Sequence, residues 1–138
     1  MGGVAAADVF GHPPDVFPFP NNADLNFLVG KEVGQIALDP WSIQFRFVDE
    51  WQITVQGAFE HTSVDGVTHI HQDGERQDTG AIFIRDILQQ KVARIEVERF
   101  RLTLFFENLA VLSFLSDEGP HECGQIYHPG FLSDGIIF

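Results

Sequence analysis

The sequence predicts a mainly β domain of the α+β type. Two tandem copies of a short helix plus a three-stranded antiparallel meander close on each other as a sandwich or a partly open roll or barrel with pseudo-two-fold symmetry. Three observations predict it. Apolar residues alternate at period two through most of the chain, the mark of strands with one buried face. The offset of 59 residues that sets Ile36 over Ile95 also pairs Val33 with Val92, Leu38 with Val97, Trp41 with Phe100, Ile43 with Leu102, Phe45 with Leu104, Phe47 with Phe106, Ile53 with Leu112 and Val55 with Phe114. Both copies also share their irregularities: the apolar phase switches at Asp39-Pro40 and at Glu98-Arg99, and the alternation then breaks at an Asx residue, Asp49 or Asn108. Any two strands placed in phase match in alternation, whereas matching interruptions require a shared plan.

Taken in order, residues 1–21 form an extended N-terminal arm. Pro13, Pro14, Pro18 and Pro20 push the residues before them toward extended backbone. Phe10, Phe17 and Phe19 of this arm are costly to leave in water, so it lies along the domain or along a neighbouring subunit. The β domain is 22–138, with the repeat units at 22–71 and 80–138. From Asn22, a capping residue, apolar spacing at Leu25, Leu28 and Val29 and a stop at Gly30 predict one or two helical turns. Phe83, Ile87 and Leu88 give the second copy the same start. Strands are predicted at 33–39, 42–48, 51–59, 92–98, 101–107 and 110–116, with closing strands near 121–127 and 134–138 and a further one at 67–71. The polar, glycine-bearing stretch 72–80 is the connector between halves. Trp41, matching Phe100, belongs to the core; Trp51, matching Ala110, falls at an edge or interface.

Composition narrows the function classes. With 138 residues, 44% of them hydrophobic and 14 Phe, the chain has material for one core and one domain. No apolar run reaches the ~18 residues of a membrane helix. A net charge of −12, from 8 basic and 20 acidic residues, repels phosphate backbones and anionic lipid, which argues against nucleic acid and membrane and leaves room for a basic protein partner. Residues 1–11 lack the basic start of a secretory signal, and a lone Cys123 fits a reducing compartment; both give a cytoplasmic expectation.

Leu28-Val-Gly-Lys-x-Val33, the Phe-x-Phe hairpin with its Asx turn, and the closing Ile126, Pro129-Gly130 and Gly135-Ile136-Ile137-Phe138 resemble a small bacterial domain family of unknown function. That family opens a strand with Leu-Leu-Gly-x-x-Val and carries Tyr-Glu-Ser after its last hairpin. The tripeptide here is His121-Glu122-Cys123, which keeps the Glu, and Gln89-Gln90 replaces the second copy's Gly. The resemblance spans roughly 28–138 and implies the fold and a bacterial cytosolic protein; no catalytic residue comes with it.

Two constellations carry candidate chemistry. His69 and His71, two apart on a strand, share a face and suit one divalent metal ion such as zinc, with Glu75 or Asp73 as an oxygen ligand. The string His-x-His-x-x-x-Glu resembles the first metal motif of cupins, but the flanking glycine spacing and the later His-x-x-x-Asn are missing. His121, Cys123 and His128 form a second cluster, in which Glu118 and Glu122 oppose activation of the thiol. If the clusters converge, His69, His71, His121 and Cys123 make a zinc site. Phosphate loops, nucleophile elbows and paired-cysteine knuckles are missing from the sequence. The sequence therefore favours a cofactor-free, non-enzymatic domain acting by protein contact, in a homo-oligomer such as a dimer or with a basic partner, as an immunity-like inhibitor would. Its alternative is a metal-dependent, cupin-like small-molecule enzyme or binder using His69 and His71.

Overall fold

The computed structural model describes residues 18–40, 42–71, 84–116, 122–130 and 135–138. Asn21 caps the first turn by accepting from the Asp24 backbone N–H at 2.9 Å, and α1 (Asn22–Leu25) runs into a 3-10 turn, Asn26–Leu28. Then come β1 (Val33–Leu38), β2 (Ile43–Phe47), β3 (Gln52–Val55), β4 (Phe59–Thr62) and β5 (Thr68–His71). The second half starts with a 3-10 turn, Ile84–Ile87, followed by β6 (Val92–Glu98), β7 (Arg101–Phe106), β8 (Val111–Leu115), β9 (Gly124–Tyr127) and β10 (Ile136–Ile137).

The strands make two five-stranded antiparallel sheets, ordered β1-β2-β3-β9-β10 and β6-β7-β8-β4-β5. Each half supplies a three-stranded meander to one sheet and sends its last hairpin across to finish the other, so the two orders are the same plan with the halves exchanged. Each sheet keeps two edge strands, which makes the fold a sandwich and not a closed barrel.

The shared irregularities of the sequence have local causes. Leu38 pairs with Ile43 and Val97 with Leu102; in an antiparallel ladder such partners share a face, so an even-membered turn swaps odd positions for even ones. The Asx breaks are three-residue turns. Asp49 accepts from the Trp51 N–H at 3.3 Å and Asn108 from the Ala110 N–H at 3.1 Å, while Glu50 (φ 78°) and Leu109 (φ 77°) take the left-handed position. Both first strands carry a register shift, between Val33 and Gln35 and between Val92 and Arg94. Glu32 bridges Lys91, its counterpart at the 59-residue offset, which places the pseudo-two-fold axis there. The flanking bonds come in symmetric pairs: Val33 N–H to Gln90 O (3.0 Å) with Val92 N–H to Lys31 O (2.9 Å), and Gly30 N–H to Val92 O with Gln89 N–H to Val33 O, both 2.8 Å.

The stretch predicted as 51–59 is two strands in different sheets, because the chain crosses the sandwich at Gln56-Gly57-Ala58. There both Gln56 and Gly57 donate to the Cys123 carbonyl, at 2.7 and 2.9 Å, and a Cβ on Gly57 would meet Cys123 Cβ at 2.8 Å. Alternation alone does not show such a crossing, since the inward face stays inward on either sheet. Of the predicted helical start of the second copy, the described part is the 3-10 turn Ile84–Ile87; residues 80–83 lie outside the described residues. The core joins Phe45, Phe59, Phe106, Phe114 and Phe138 to the apolar faces of both sheets. Phe19 of the arm is buried against Phe138, ring centroids 4.6 Å apart, so this part of the arm lies on its own domain. Phe10, Phe17 and Trp41 lie outside the described residues.

Candidate functional site

The pseudo-symmetry shows which residues the fold does not require. β4 pairs Phe59 with Phe114 of β8, and β9 pairs Gly124 with Val55 of β3, so the two crossing hairpins superpose in register. By that register His61 answers to Ile126, His69 to Ile136 and His71 to Phe138. At the 59-residue offset, Asp86 answers to Phe27 and Ala110 to Trp51. The sheet of β1, β2, β3, β9 and β10, with the turn that precedes β1, fills these positions with hydrocarbon, its Phe27 ring packed on Trp51 at 4.6 Å. The other sheet, with the turn that precedes β6, fills the matching positions with three imidazoles, a carboxylate and Ala110.

These side chains are held firmly. His61 is fully buried on the inner face of β4, and its Nε2 donates to Asp86 Oδ1 at 2.8 Å. Asp86 Oδ2 accepts from the Val64 N–H at 3.1 Å, and the Asp86 carbonyl accepts from Asn108 Nδ2 at 2.9 Å. An ionised carboxylate only accepts, so the bond to Asp86 places a proton on Nε2. His61 Nδ1 is buried and has no hydrogen-bond partner among the described residues. His69, directly across the ladder from His61, stacks near it with ring centroids 6.3 Å apart and planes 15° apart. His71 lies flat on Phe59, centroids 4.4 Å and planes 5° apart.

Beside this cluster opens a cavity of about 420 Å³, lined by Ser63, Val64, Asp65, Val67, His69, Arg85 and Asp86. It sits between the β4–β5 hairpin and the 3-10 turn at Ile84–Ile87. The hairpin is held by Ser63, which donates its N–H to Val67 O (2.9 Å) and accepts the Val67 N–H on its Oγ (3.3 Å), with Gly66 in the left-handed position at φ 86°. A second hollow of about 470 Å³ lies on the axis side, beside Phe27, Lys31, Glu32 and Lys91.

Of the residues singled out from sequence, His69 and His71 do share the inner face of β5. Only His69 lines the cavity; His71 is 2% exposed and packs on Phe59. Glu75, Asp73 and His121 fall outside the described residues. Cys123 is buried where the chain crosses between sheets, against Gly57. Among the described residues no three His, Cys, Asp or Glu side chains gather closely enough to hold a metal ion. His128 accepts the Gly130 N–H on Nδ1 at 2.9 Å and packs edge-on to Trp51 at 5.6 Å. Trp51, placed by sequence at an edge, is half-buried between Phe27 and His128. His61, Asp86, Arg85 and Ser63 were missed. The available signal was the 59-residue offset, which sets a carboxylate, Asp86, against Phe27 between the buried Ile84 and Ile87.

No known family model matches the chain, and no curated protein or solved structure shows significant similarity to it. No helix among the described residues is long and apolar enough to cross a membrane.

Proposed function

We propose that the protein acts by binding, not catalysis, and that its binding site is the cavity beside the His61–Asp86 pair. One observation carries this reading: His61, His69, His71 and Asp86, on and beside one sheet, occupy positions where the pseudo-symmetric sheet uses Ile126, Ile136, Phe138 and Phe27. A buried imidazole-carboxylate pair is seldom better for stability than apolar side chains of similar size, so its presence on one sheet alone suits a role other than folding. His61 is fully buried and does not itself meet a bound molecule, while Asp86 lines the cavity. The pair sets the wall of the cavity, which His69 and Arg85 line. Apolar walls with a few fixed polar groups are the usual make-up of a small-ligand pocket.

The triple variant His61→Ile, His69→Ile, Asp86→Phe, which copies the pseudo-symmetric sheet, tests this. It should fold at least as stably as the wild type while losing the ligand-induced amide shifts that a fragment library produces at Ser63, Val67 and His69. A variant that is less stable and keeps those shifts would mean that the imidazoles serve the fold.

A second reading, contact with another protein, draws on the same hairpin. Val64, Val67 and Ile70 are 46%, 53% and 56% exposed around edge strand β5, and the surrounding acidic surface suits a basic partner. A strict monomer at high concentration, unmoved by Ile70→Lys, would count against self-association through this edge.

A further inference from the structure

We propose that the cavity at the β4–β5 hairpin takes a small carboxylic acid carrying an apolar body, with Arg85 binding the carboxylate; this step rests on the binding reading above. The inference follows from which charges around the cavity are already satisfied. Asp86 is occupied twice over, by His61 Nε2 at 2.8 Å and by the Val64 N–H at 3.1 Å, so it offers little to a ligand cation. Arg85, next in the chain and exposed, lines the same cavity, and no carboxylate pairs with it among the described residues.

Lys31 is bound to Asp49, Arg94 lies 2.7 Å from Glu96, Arg101 lies 3.2 Å from Glu60, and Arg46 donates to Gln35 and Gln44. Lys91 and Arg99 also have no carboxylate partner among the described residues, but of all these cations Arg85 is the one that lines this cavity. A guanidinium is the side chain best matched to a carboxylate, through two parallel N–H donors.

The rest of the lining fixes the ligand's other end. Val64, Val67 and the His69 ring give an apolar wall, and the Ser63 hydroxyl already accepts from the Val67 N–H. A volume of about 420 Å³ suits a compact molecule with a phenyl or branched alkyl body. Asp65 on the hairpin loop also lines the cavity, and its charge disfavours a second acidic group. The fitting class is therefore a monocarboxylic acid.

Calorimetric titration of the full chain with 3-phenylpropionate, its neutral amide and 3-phenylpropylamine tests the proposal. The acid should bind saturably, the amide about tenfold more weakly, and the amine not at all. Arg85→Gln should weaken the acid by about the same factor and leave the amide unchanged, since the lost charge-assisted bond is worth roughly 1.5 kcal/mol. Arg94→Gln, on the far edge strand β6, should change nothing. Arg85 is exposed, so its variant should keep the wild-type melting profile, which calorimetry checks on the same samples. Equal binding of acid and amide, insensitive to Arg85→Gln, or tighter binding of the amine, would overturn the carboxylate assignment while leaving the cavity a binding site. Failure of all three probes at millimolar concentration would overturn both.

Discussion

At the residue scale, four side chains contribute in ways that one or two substitutions can read. Leu109 holds φ 77° in a three-residue turn, a conformation that suits Gly or Asn, and it is 79% exposed, so truncating it loses almost no packing. Leu109→Gly should stabilise the protein by about 0.5 kcal/mol, seen as a higher urea midpoint with unchanged slope. Asp49 shows a competition of opposite effects. Its partial burial pushes its pKa up, but the hydrogen bond from Lys31, with the Trp51 N–H and the Lys31 charge behind it, outweighs burial and holds the carboxyl below its ordinary value. A lowered folded pKa gives stability that is present above the ordinary carboxylate value and lost as pH falls through the lowered one. Asp49→Asn should therefore flatten the loss of stability below about pH 4, and only slightly, because the side chain is half in water. The buried pair should respond asymmetrically. Asp86→Ala leaves His61 buried with neither nitrogen bonded and should cost about 2–4 kcal/mol, whereas His61→Ile with Asp86→Phe should be neutral or stabilising. Urea unfolding of both variants decides it: equal losses would mean that the pair supports the fold.

At the element scale, legibility followed from what alternation encodes. Inward and outward positions of β1 to β3 and β6 to β8 were readable because each strand has one buried face; the even-membered turns left their mark as parity switches and the three-residue turns as breaks at an Asx residue. The crossing of β4 and β9 was not readable, because a strand that changes sheets keeps the same face toward the core. What permits each crossing is a close approach that leaves no room for a side chain. A Cβ on Gly124 would collide with the Phe138 ring and the Thr54 carbonyl, the latter part of the paired backbone of β3. Gly124→Ala should thus cost about 3 kcal/mol, at the upper end of overpacking effects, since a ladder carbonyl cannot move aside. Thermal melting should show the loss, and Gly57→Ala, which meets only the Cys123 side chain and Cα, should lose less. The candidate site was half legible for a related reason. His69 stood out as part of a short motif, whereas His61 and Asp86 gain their meaning only when β4 is laid on β8 and the Ile84–Ile87 turn packs beside it.

At the scale of the whole molecule, neither half has a sheet of its own. Residues 22–71 contribute β1 to β3 to one sheet and β4 and β5 to the other, and the second half reciprocates, so every sheet contains a seam between halves: β3 with β9, and β4 with β8. The core is continuous across both seams, with Phe45 edge-on to Phe59 at 5.7 Å and to Phe114 at 5.5 Å. Covalent continuity between the halves is then needed for concentration and not for contact. Cutting the chain at a protease site inserted between Gln77 and Asp78 should leave both fragments eluting together at the mass of the intact protein. The cut turns a unimolecular fold into a bimolecular one, so the melting temperature should drop and become dependent on protein concentration, which it is not for the uncut chain. Urea should separate the fragments, and its removal should restore the pair from an equimolar mixture. Fragments that part in native buffer, or one fragment that melts cooperatively alone, would show that a half can bury its own strands, and the exchange of hairpins would then be an addition to two self-sufficient sheets.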